Sequence, residues 1–124
     1  MQLVFLFGEA EKGLFCSPMP CRSLTELSET FGNPPEESQG LFYAVQALLF
    51  DRPLVYFRVK EEGFSLSDYK RGLHLLRESA LHPSAICMPG MGNAEIIDET
   101  SELCYLFHSL FITSEKDLYD YLTQ

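Results

Sequence analysis

The chain has 124 residues, of which 46% are hydrophobic, enough for one domain with its own core. Lys and Arg number 9 against 18 Asp and Glu, a formal charge of −9. A surface this acidic repels phosphodiester backbones and anionic lipid, which excludes nucleic-acid scaffolding and membrane binding as leading functions.

Leu3 to Phe7 is a continuous apolar run that ends at Gly8. It has no basic flank and is too short for a signal peptide or a membrane span, so it reads as a strand covered on both faces. The expected location is therefore cytoplasmic, with Cys16, Cys21, Cys87 and Cys104 as reduced thiols. Residues 8–22 carry Gly8, Gly13, Pro18 and Pro20 and read as irregular or as a short hairpin.

Ser23 opens a capping box with Glu26, and Leu24, Leu27 and Phe31 follow on one helical face. Gly32 to Pro35 stops this helix. A second is expected to begin near Pro35, with Glu36 and Glu37 at its positive end and Leu41, Phe42, Val45, Leu48 and Leu49 along it. Leu54 to Val59 is the second strand, and Arg58 and Lys60 on one side of it suggest a sheet edge.

Ser65 begins a third helix bearing Leu66, Tyr69, Leu73 and Leu76. Ala85 to Met88 is the third strand, Pro89 to Asn93 a sharp turn, and Asn93 the cap of a helix carrying Ile96, Leu103 and Phe107. Leu110 to Thr113 is the fourth strand, and Ser114 caps a last helix with Leu118, Tyr121 and Leu122 facing in.

Strands alternating with helices imply a mostly parallel sheet with right-handed crossovers. The expected fold is a small three-layer α/β sandwich, a single domain over residues 1–124, with four strands in the order 2-1-3-4. At the level of architecture this resembles flavodoxin-like and Rossmann-like domains, and that likeness implies a fold and not a function.

In such sheets ligands bind beyond the carboxyl ends of the strands, where the strand order reverses. Here that point lies between the first and third strands, followed by the turns Gly8–Gly13 and Pro89–Asn93. Gly8, Gly90, Gly92 and Asn93 are candidates to hold an anion through backbone amides, with Thr113 and Ser114 as further donors. Glu9 and Glu11 are the candidate catalytic or sugar-binding carboxylates. Glu61 and Glu62 hold the corresponding place after the second strand. A plain tight turn and a solvated acidic loop explain the same residues without a ligand.

The glycine spacings match neither a phosphate-binding loop ending in Gly-Lys-Ser/Thr nor the dinucleotide fingerprint. Pro89 stands where a phospho-accepting aspartate of a receiver domain would be, which excludes phosphorelay. Cys16 and Cys21 are not spaced as a Cys-x-x-Cys pair, and His74, His82 and His108 are scattered, so neither a metal nor a nucleophile–histidine site is expected.

Two functions stay open. The first is binding of a nucleotide-like or other phosphorylated small molecule at the switch point, with no cofactor named. The second is a non-catalytic interaction or regulatory domain whose partner is another protein or a second copy. The stretch Gly13–Arg22, with Leu14, Phe15 and Met19, is a lid over the switch point, a contact surface for another protein, or part of the core.

Overall fold

The structure is a computed structural model that describes residues 2–124. Its elements in chain order are β1 (Val4–Gly8), β2 (Pro18–Cys21), α1 (Leu24–Phe31), α2 (Gly40–Leu49), β3 (Leu54–Arg58), α3 (Leu66–Glu78), β4 (Ala85–Cys87), α4 (Ala94–Phe107), β5 (Leu110–Ile112) and α5 (Glu115–Leu122). The strands form one mixed sheet in the order β2-β3-β1-β4-β5. β3, β1, β4 and β5 run parallel, and β2 lies antiparallel on β3.

The parallel part keeps the expected 2-1-3-4 order, but the expected edge is displaced. β3 is an inner strand, because residues 18–21, in the stretch that reads as irregular or as a short hairpin, pair with it, Pro18 opposite Phe57 and Cys21 opposite Leu54. Prolines weaken a strand assignment from sequence, yet they suit an edge. Pro18 and Pro20 are two residues apart, so they present the same side of β2 and leave it short of N–H donors for another strand.

β1 is buried at every position. Its even residues and its odd residues feed opposite cores. Val4 and Leu6 pack with Phe31, Leu41, Ala44, Tyr56 and Leu118 under α1, α2 and α5. Phe5 and Phe7 pack with Phe57, Tyr69, Leu73, Ile96 and Leu103 under α3 and α4. The centroids of Phe7 and Tyr69 are 5.2 Å apart in a stacked pair, and those of Phe7 and Phe57 are 5.1 Å apart. These are separations at which aromatic pairs add to plain area burial.

Three expected caps form. Ser23 accepts from the Glu26 amide (3.1 Å), Asn93 from Ile96 (3.1 Å) and Ser114 from Asp117 (3.2 Å). Two expectations are corrected. Residues 35–39 are a turn with Glu37 in the left-handed region (φ 64°), so α2 begins at Gly40 and not near Pro35. Ser65 precedes α3 but turns its hydroxyl back to the amide and carbonyl of Glu61 instead of capping the helix.

The side chain of Arg58 fixes the stretch after β1. It donates to the carbonyls of Gly13 (2.6 Å) and Ala10 (2.9 Å), and its guanidinium lies 3.9 Å from the centre of the Phe15 ring. The charge that suggested a sheet edge thus holds the neighbouring loop by charge-assisted hydrogen bonds and a cation–π contact. Among the described residues no helix is long and apolar enough to cross a membrane.

Candidate functional site

Three loops leave the carboxyl ends of β1, β3 and β4 together, and the middle one, residues 59–65, organises the region. Its key side chain is Glu62. One carboxylate oxygen accepts from the amides of Glu9 (3.0 Å) and Gly40 (3.0 Å), and the other accepts from Gln39 (2.6 Å). Gln39 and Gly40 open α2, so Glu62 places a carboxylate on the positive end of that helix. Burial pushes the Glu62 carboxyl above its ordinary 4.5, and the charge of Glu9 adds to this, while the three amide bonds pull it down.

Gly8 makes this arrangement possible. A Cβ on Gly8 would stand 2.7 Å from the Gly40 Cα and would also collide with the Tyr56 hydroxyl. The ends of β1 and α2 therefore touch backbone to backbone, and the space beside Gly8 is filled by α2. The Tyr56 hydroxyl donates to the Glu9 carbonyl (2.7 Å), and burial raises its pKa well above 10.

The two candidate carboxylates are both engaged with backbone. Glu9 accepts from the Glu62 amide (2.8 Å), and Glu11 accepts from Asn33 (2.9 Å) beyond the end of α1. The amides of Glu11 and Lys12 donate to the Phe31 carbonyl at 3.0 and 3.2 Å, which anchors the same stretch.

The second turn is more open. Nothing lies within 4 Å of a Cβ placed on Gly90 or on Gly92. Gly90, Gly92 and Asn93 line a cavity of about 410 Å³, closed on its other side by Gly63, Phe64 and Leu66. Gly63 packs against the Gly90 carbonyl, 3.0 Å from where its own Cβ would stand, and its amide donates to the Tyr69 hydroxyl (2.7 Å). Phe64 is 75% exposed on the rim.

The amides around this cavity are not equivalent. Gly90 donates to the Thr113 carbonyl (3.3 Å) and Met91 to Met88 (3.1 Å). The amides of Gly92 and Asn93 have no acceptor among the described residues. Thr113 therefore serves through its carbonyl, and the Ser114 hydroxyl is taken up by α5.

The structure thus brings Gly90, Gly92 and Asn93 together around one cavity, with Thr113 behind them. It places Gly8 and Glu9 in the Glu62 network, Glu11 against the turn after α1, and Ser114 at the start of α5. Gly63, Phe64 and Leu66, the opposite wall, were not singled out from sequence. Their signal was a glycine and an aromatic in the loop that follows a strand, on the side of the sheet where ligands bind. The six lining residues carry no titratable group, and what they offer is backbone and one aromatic ring.

The chain matches no known protein family, no curated protein and no solved structure.

Proposed function

We propose that the chain is a small-ligand-binding domain whose site is the cavity between Gly63–Leu66 and Gly90–Asn93, taking a nucleotide-like or otherwise phosphorylated molecule. The observation that carries this reading is the pair of amides without acceptors, Gly92 and Asn93, in the lining of a cavity at the carboxyl ends of the parallel strands. Glycine leaves such amides accessible, and the first turn of a helix favours negative charge.

The cavity of about 410 Å³ falls in the lower part of the range of small-molecule sites, which suits a mononucleotide better than a dinucleotide. The exposed Phe64 ring offers a face on which a planar base can stack. In this reading Glu9, Glu11 and Glu62 hold the loops in place and take no part in proton transfer.

A thermal-shift series with AMP, ribose 5-phosphate and inorganic phosphate tests the reading. A ligand that binds only the folded state raises the apparent stability in proportion to the logarithm of its concentration. Gly92→Val fills the cavity at a position with open space around it and no left-handed φ, so it keeps the fold and abolishes the shift. No shift with any of the three, or an equal shift in Gly92→Val, refutes the reading.

A further inference from the structure

Arg22 and Arg52 meet at the end of the sheet opposite the Pro89–Asn93 turn. β2 is antiparallel to β3 with Cys21 opposite Leu54, so the residue after β2 stands beside the residues that lead into β3. The turn from Phe50 to Pro53 reaches the same place from the end of α2. Backbone hydrogen bonds hold it there, from Asp51 to Leu48 (3.0 Å) and from Arg52 to Ala47 (3.0 Å). Between these segments lies a cavity of about 310 Å³, lined by Arg22, Leu48, Asp51, Arg52 and Pro53.

The charges of this cavity are uncompensated. The chain has 18 carboxylates for 9 cations, yet Arg22, Asp51 and Arg52 are in no ion pair among the described residues. Arg52 is held from behind by α5. One Nη donates to the Leu122 carbonyl (3.3 Å), and the guanidinium lies 5.0 Å from the centre of the Tyr121 ring. Asp51 occupies the left-handed region (φ 58°), which aspartate tolerates. It directly follows Phe50, the cap of α2, where the helix dipole adds to its negative charge.

We propose that this cavity is a second ligand site and takes a free acidic α-amino acid, glutamate or aspartate. The lining carries two guanidiniums and one carboxylate, and such a ligand carries two carboxylates and one ammonium. Each ligand carboxylate meets an arginine, whose planar fork matches it. The ammonium meets Asp51 and the negative end of α2, and the methylene stem lies on Leu48 and Pro53. A plain dianion leaves Asp51 unmatched, and a cation leaves both arginines unmatched. The volume is at the low end for small-molecule sites, which suits an amino acid. The inference does not rest on the Gly92 cavity, which is at the other end of the parallel strands.

The test is isothermal titration calorimetry of the full chain with glutamate, aspartate, glutarate and leucine at constant ionic strength. Glutamate or aspartate is expected to bind. Glutarate lacks the ammonium and leucine lacks the second carboxylate, so each should bind about ten-fold more weakly or worse. Arg22→Gln, at an exposed position, should weaken glutamate binding by a similar factor with an unchanged circular-dichroism spectrum. Asp51→Asn keeps a residue that tolerates the left-handed backbone. It should weaken glutamate binding and leave glutarate binding equal or stronger. Gly92→Val should leave glutamate binding unchanged.

No binding of glutamate or aspartate at millimolar concentration overturns the proposal. So does equal binding of glutarate or leucine, glutamate binding that survives Arg22→Gln and Asp51→Asn, or its loss in Gly92→Val, since the ligand then sits in the other cavity.

Discussion

Glu9 and Glu62 hold each other by the backbone: the Glu9 amide donates to a Glu62 carboxylate oxygen at 3.0 Å, and the Glu62 amide donates to a Glu9 carboxylate oxygen at 2.8 Å. This reciprocal pair joins the loops after β1 and β3. Because Glu62 also takes the amides of Gln39 and Gly40, the same pair fixes the start of α2. These two side chains form the clasp of three backbone segments.

Removing the clasp has a definite cost. Glu62→Ala leaves three amides without their acceptor in a half-buried site, and a loss of about 2–3 kcal/mol of unfolding free energy is expected. Urea denaturation measures it. A change within experimental error would mean that water replaces the carboxylate at no cost.

The pH dependence of the same group follows from competing effects. Burial raises the Glu62 carboxyl above 4.5 in the folded chain, so the folded state holds this proton more tightly than the unfolded state does. The ionised side chain therefore supports the fold less at neutral pH than its protonated form would, and that difference disappears as the pH falls through the folded pKa. Glu62→Gln does not titrate there. The stability of the wild-type chain relative to Glu62→Gln should rise from pH 7.5 to pH 5. A fall would show that the three amide bonds outweigh burial.

Gly8 and Gly40 admit no side chain. Gly40→Ala places a Cβ 2.7 Å from the Gly8 Cα, so the end of α2 must move off β1. Overpacking of this kind costs about 1–3 kcal/mol. Alanine ordinarily stabilises a helix, so the sign of the change separates the two effects. Thermal unfolding of Gly40→Ala should show a lower midpoint than the wild type, and a higher midpoint would rule out the close contact.

Cys16 is the one cysteine of the four that is only partly covered, yet its reactivity should be low. Burial pushes its thiol up to about 11, and the hydrogen bond to Asp68 (3.3 Å) and the charge of that carboxylate add to the shift. Alkylation by iodoacetamide at pH 8 should be slower than for a free thiol, because the thiolate is the nucleophile. Asp68→Asn removes the charge and should speed it. Faster alkylation of the wild-type chain than of free cysteine would contradict this arrangement.

Much of this architecture is legible in the sequence because hydrophobic period and capping residues report local structure directly. Leu3–Phe7 announces a buried strand and Leu54–Val59 a second strand, though not its inner place in the sheet, and Ser23, Asn93 and Ser114 announce the helices they cap. β2 is legible only as the short hairpin left open beside an irregular stretch, since Pro18 and Pro20 argue against a strand until β3, more than thirty residues on, supplies the pairing. The site divides in the same way. Gly90, Gly92 and Asn93 stand out as a turn entering a helix. The role of Glu62 depends on amides 23 and 53 residues away, and no local pattern carries that information.

The ligand cavity is tested most directly by the backbone amides of Gly92 and Asn93 in an NMR titration with AMP. A bound phosphate should move these two resonances furthest and saturably, with smaller changes at Gly63 and Phe64, and Gly92→Val should remove the effect. If AMP and inorganic phosphate leave the Gly92 and Asn93 amides in place at millimolar concentration, the cavity is not a phosphate site.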